Sequence, residues 1–146
     1  MDIPRTNVVY KDIKLDCDKT VDPISAPSIE FENITYSIKE CKKQGDALRV
    51  VLSITSKDDT QLFIAGNNYG DKSTMVFDNL GNSYKVEAMK ISNQPFDEYF
   101  GRKIIQDTPT EMTLLFNGLK PNSTLISLQL SIGRANKQLM FRKISI

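Results

Sequence analysis

The chain has 146 residues, 40% of them hydrophobic and 25% charged, with 19 Lys and Arg against 18 Asp and Glu. One domain of that size buries about 70% of the surface its unfolded chain exposes, so it can hold a core without metal or a disulfide framework. A net charge of +1 offers no concentrated basic face for nucleic acid, and no run approaches the ~20 apolar residues of a membrane-spanning helix.

Residues 1–27 read as an extended N-terminal arm or linker ahead of a domain spanning 28–146. They hold Pro4, Pro23 and Pro27, which disrupt sheet pairing. Within them Val9, Ile13, Leu15 and Cys17 fall on one side, as in an edge strand or an extended arm. Met1-Asp2-Ile3-Pro4 lacks the basic and apolar regions of a signal peptide. The expectation is a mature N-terminus with its leader removed and an extracytoplasmic location, periplasm or cell surface; the cytoplasm is the alternative.

From Ile29 the pattern is that of strands. Ile29 and Phe31 alternate, Glu32-Asn33 break the phase, and Ile34, Tyr36 and Ile38 resume it, which predicts a β-bulge. A polar loop with Gly45 leads to Leu48, Val50, Leu52 and Ile54, and the two strands read as an antiparallel hairpin. Leu62-Phe63-Ile64 is a short apolar strand. Thr74 to Phe77 enters the turn Asp78-Asn79-Leu80-Gly81-Asn82, and Tyr84, Val86 and Ala88 then alternate as the return strand of a second hairpin.

Residues 92–110 are the longest stretch without a strand pattern. Asp97-Glu98 after Pro95 predict one helical turn. Met112, Leu114 and Phe116 alternate next. Ile126, Leu128, Leu130 and Ile132 are separated by Ser127, Gln129 and Ser131, which predicts one oily and one wet face. The chain closes on two apolar triplets, Leu139–Phe141 and Ile144–Ile146. The sum is an all-β fold: a two-sheet, immunoglobulin-like antiparallel sandwich of about eight or nine strands, with at most one short helix. A closed barrel is the runner-up.

The segment Asp78 to Tyr84 between apolar strands, followed by Thr113–Phe116 and the Ser/Leu/Ile strand, resembles small bacterial immunoglobulin-like domains of secreted proteins and lipoproteins. The resemblance covers residues 29–146 and rests on an Asp-x-x-Gly-x-x-Tyr pattern. It implies an extracytoplasmic, non-enzymatic domain and transfers no site residue. The chain departs from the immunoglobulin pattern in having no Trp, and its two cysteines lie on neighbouring N-terminal segments.

With no His, the commonest general base and zinc ligand is absent, and Ser-His-Asp or Cys-His catalysis is excluded. No phosphate-binding glycine loop is present. The expectation is no enzyme, no cofactor and no metal. Asp58, Asp59, Asp71 and Asp78 all fall in predicted turns, where Asp serves the backbone; turn formation explains them more simply than calcium does. Cys17 and Cys41 either pair, closing a loop worth on the order of 3 kcal/mol, or stay separate half-buried thiols.

The best site candidate is the long loop 92–110. Phe96, Tyr99 and Phe100 are three aromatics in five residues, and Arg102 beside them supplies a rim charge. The competing reading has one or two rings plug the end of the sandwich. The function that follows is a protein-binding or structural module of the bacterial cell envelope, contacting a protein partner through this loop or through an edge strand. The alternatives are an inhibitor or immunity-type protein and a carbohydrate-binding module.

Overall fold

The computed structural model describes residues 8–146. In chain order the strands are β1 (Val8–Asp16), β2 (Ser28–Phe31), β3 (Ile34–Gln44), β4 (Ala47–Ser56), β5 (Thr60–Leu62), β6 (Met75–Asp78) and β7 (Ser83–Lys85). They continue with β8 (Ala88–Ile91), β9 (Gln94–Pro95), β10 (Arg102–Ile104), β11 (Thr110–Phe116), β12 (Leu125–Ile132) and β13 (Lys137–Ser145). A single 3-10 turn, Gly70–Lys72, lies between β5 and β6.

One sheet runs β1-β13-β12-β6-β7 and the other β2-β3-β4-β11-β8-β9, with β5 and β10 as a separate pair. The two sheets form a sandwich. Leu128, Leu130 and Phe141 from the first and Leu52, Met112 and Leu114 from the second share one core and are fully buried. Strands are more numerous than expected because several, such as β7 and β9, are only two or three residues long, too short to show a period.

Four local readings change on contact with the fold. Glu32-Asn33 are not a bulge. Both have positive φ, 52° and 69°, and they form the two-residue turn that joins β2 to β3 as a hairpin. The phase slip has the same sequence signature in either case, because each device inserts residues that fail to alternate. The true register shift of this hairpin system lies between Ile38 and Glu40.

Tyr84, Val86 and Ala88 do not share one strand. β7 pairs with β6 in the first sheet, while β8 pairs with β11 in the second, so the chain changes sheets at Val86-Glu87. The alternation does not carry through the change of sheet: Tyr84 and Val86 face the core before it, and Met89 and Ile91, not Ala88, face the core after it.

The wet face predicted on β12 is not wet. Gln129 and Ser131 are buried. The Gln129 amide donates to the carbonyls of Asp71 and Ser73, and Thr74 Oγ1 accepts from Ser131 N. The segment around the 3-10 turn covers this face, and polar side chains are tolerated there because each is hydrogen-bonded.

The N-terminal strand belongs to the sandwich. Of the arm predicted over 1–27, residues 1–7 lie outside the described residues. β1 pairs with β13, and Ile13, Leu15 and Cys17 are buried in the shared core. The pairing is parallel, whereas every other strand pair among the described residues is antiparallel. Side-chain alternation is the same for both directions, so the period could not reveal this. Residues 18–27 then carry the chain to the second sheet. They are tied down at both ends: Asp18 N donates to Cys41 O, and Ile38 N to Pro27 O.

Candidate functional site

Between β9 and β10 the chain makes one tight turn. Asp97 organises it: its Oδ1 accepts from Tyr99 N at 2.8 Å and Phe100 N at 3.2 Å, while its carbonyl accepts from Gly101 N at 2.7 Å. This is the single helical turn that Asp97-Glu98 predicted, closed without extending into a helix. Gly101 has φ +70°, and a Cβ there would collide with the Leu62 carbonyl and the Phe63 ring. Only glycine meets both demands.

The turn rests on residues distant in sequence. Gln61 Nε2 donates to Phe100 O at 2.6 Å, and Arg134 Nη2 to Tyr99 O at 3.4 Å. The Arg134 guanidinium also lies over the Phe63 ring, 5.0 Å from its centroid. Downstream, Asp59 Oδ1 accepts from Gln106 N, and Asp107 N donates to Ser56 O. The long loop is thus fastened along the 56–64 segment.

The four predicted contact residues part company here. Tyr99 and Phe100 are 74% and 76% exposed, side by side at the tip. Phe96 is half-buried and packs against the core, with its N–H on Met89 O. Arg102 sits in β10 opposite Leu62, half-buried, while the neighbouring Lys103 is exposed. Phe63, Gln61 and Arg134 join the site without any sequence signal, because nothing local marks which residues will underlie a loop.

Cys17 and Cys41 are joined by a disulfide, with Cα atoms 4.6 Å apart. The bond links the end of β1 to β3 in the opposite sheet.

Asp78, the first residue of the Asp-x-x-Gly-x-x-Tyr segment, is also an organising acid. Its Oδ1 accepts from Leu80 N and Asn82 N, and its Oδ2 from Tyr84 OH at 2.7 Å, Ser123 Oγ at 2.9 Å and Asn82 Nδ2. Withdrawal from water pushes its carboxyl pKa up. The donors outweigh that, Tyr84 first, then Asn82, Ser123 and Leu80, and hold it well below the usual carboxylate range. Asn79 Oδ1 accepts from Thr124 N and Leu125 N, so the turn is latched to the start of β12. Among the described residues no three acidic or thiol side chains come together as a metal site.

No protein-family model matches this chain, and a search of curated proteins finds no match. Two solved structures are similar in shape. One is MPT63, a secreted protein of Mycobacterium tuberculosis, 10% identical, with a TM-score of 0.49 over 90% of this chain and 98% of that one. The other is an uncharacterized β-sandwich protein of Clostridium difficile 630, 9% identical, with a TM-score of 0.42 over 90% of this chain and 95% of that one. Identity this low transfers no function. No helix among the described residues is long and apolar enough to cross a membrane.

Proposed function

We propose that the protein is a non-enzymatic, extracytoplasmic binding module of the cell envelope that docks a protein partner on the tip of loop 92–110. The observation that carries this reading is the pair Tyr99 and Phe100, three-quarters exposed on a turn held by Asp97, Gly101, Gln61 and Arg134. Exposed aromatics on a fastened loop bury large apolar area while losing little conformational entropy, which is what binding hot spots require. Phe96 belongs to the support and not to the contact.

Two further observations favour the wider reading. A disulfide joining the two sheets suits an oxidising compartment. The strand order β13-β12-β6-β7 against β3-β4-β11-β8 follows the G-F-C-C′ and A-B-E-D order of immunoglobulin sandwiches, with β1, β2, β9 and the β5–β10 pair added. We read the fold as immunoglobulin-like on that order.

The test is affinity capture from envelope fractions with the wild-type chain and with Tyr99→Ala/Phe100→Ala. The double variant should lose the partner that the wild type retains while its melting temperature stays unchanged, since exposed side chains contribute within about 0.5 kcal/mol. Equal capture by both proteins, or a large drop in melting temperature, overturns the reading.

A further inference from the structure

Beside the aromatic loop lies a pocket of about 220 Å³, framed by the β2–β3 turn, β5 and the turn between β12 and β13. Tyr36 is 2% exposed and lines it, yet its hydroxyl has no hydrogen-bond partner among the described residues. No buried side-chain polar atom of the described residues is left unpaired, so this hydroxyl keeps a little access, and the pocket is where it finds it. A phenol hydroxyl that keeps access and has no protein partner is a donor left for a ligand. Burial, and then the nearby Glu32 charge, push the Tyr36 pKa up, so the hydroxyl keeps its proton at neutral pH.

The walls add further donors. Gln61, Asn136 and Lys137 line the pocket together with Phe63, and Glu32 at the turn is its single carboxylate. Lys137 lies over the Phe31 ring, 5.7 Å from its centroid. The six ion pairs among the described residues use none of Arg102, Lys103, Arg134 or Lys137. Lys137 lines the pocket, and Arg102, Lys103 and Arg134 stand on or beside the segments that frame it, all four without a carboxylate partner, while the lining itself holds one acid. The local field favours an anion.

We infer that this pocket binds a carboxylate group, with the Tyr36 hydroxyl donating to it from the floor and Lys137 pairing with it at the wall. The volume equals that of about seven water molecules in the liquid, which admits a small organic acid or one acidic side chain of a protein. The inference does not depend on the loop-tip reading, because its residues exclude Tyr99 and Phe100.

The test is an amide chemical-shift titration of the full chain with N-acetyl-L-glutamate, with N-acetyl-L-lysine amide, which carries no carboxylate, as control, and with an end-blocked peptide carrying one Glu between glycines. Saturable shifts are expected at Tyr36, Gly133, Asn136 and Lys137 with a glutamate probe and not with the lysine derivative. Saturation by the free amino-acid derivative identifies a small-ligand site; saturation by the peptide alone identifies a partner's side chain. Tyr36→Phe should fold with an unchanged melting temperature, since it removes only an unpaired hydroxyl, and should bind at least about tenfold more weakly. Lys137→Gln, at a half-buried position, should weaken binding similarly. Absence of saturable shifts, an equal response to the lysine derivative, or wild-type affinity in Tyr36→Phe overturns the inference.

Discussion

Two turns in this molecule are each built around one aspartate, and they are used in opposite ways. Asp78 gathers donors from its own turn, from Tyr84 on β7 and from Ser123 ahead of β12. The Asp97 carboxylate accepts only from Tyr99 N and Phe100 N, two and three residues on, and reaches no other segment. The first is a tertiary latch that draws donors from three segments onto one carboxylate. The second is a local cap that fixes a backbone shape and leaves the Tyr99 and Phe100 rings outside. An Asx-type turn costs the chain little wherever it is placed; what its neighbours do decides whether it stabilises the fold or presents a surface.

The comparison breaks most sharply at Asp78. Asp78→Ala strips the acceptor from the Tyr84 and Ser123 hydroxyls and unlatches two loops, so the melting temperature should fall by roughly ten degrees. A thermal melt checks this, and a shift of a degree or two would mean that the latch is ornamental. The same site makes an acid prediction. The folded-state pKa of Asp78 lies below its unfolded value, so its stabilisation is present above about pH 4 and is lost as the pH falls through the folded value. The gap in melting temperature between wild type and Asp78→Asn should therefore narrow steadily between about pH 5 and about pH 2; a constant gap would contradict the assignment.

At the other turn the effects are smaller. Gly101→Ala meets both the positive φ and the Leu62 carbonyl, and should cost about 1–3 kcal/mol in denaturant unfolding. It should also displace the two exposed rings, so that capture of a partner weakens although neither ring is altered. Asp97→Ala removes only a local cap, which is worth about 1 kcal/mol. Its unfolding midpoint should move less than that of Gly101→Ala, while partial loss of capture would show that the cap holds the tip in its binding shape.

The sequence carried the strand content well wherever strands were long and alternated. β4, β11 and β12 stand where Leu48–Ile54, Met112–Phe116 and Ile126–Ile132 predicted them. Short elements left no period to read, which is why β9 and β10 were hidden in the 92–110 loop. The site was half legible. Clustering of aromatics drew attention to the loop, but alternation says nothing in a loop about which ring turns inward. Phe96 and Phe100 are indistinguishable as letters, and they differ because Phe96 N–H is tied to Met89 O while Gly101 turns the chain outward after Phe100.

By itself the sequence determined the all-β character, the core faces of the long strands and the position of the Asp78 turn, because these follow from side-chain period and local backbone chemistry. Tertiary structure alone decided the rest. It set the parallel pairing of the first strand with the last, the burial of Gln129 and Ser131, the juxtaposition of Arg134 with Phe63, and the open hydroxyl of Tyr36. Each of these depends on which distant segment covers a face, and a period of two residues specifies a face without naming what will cover it.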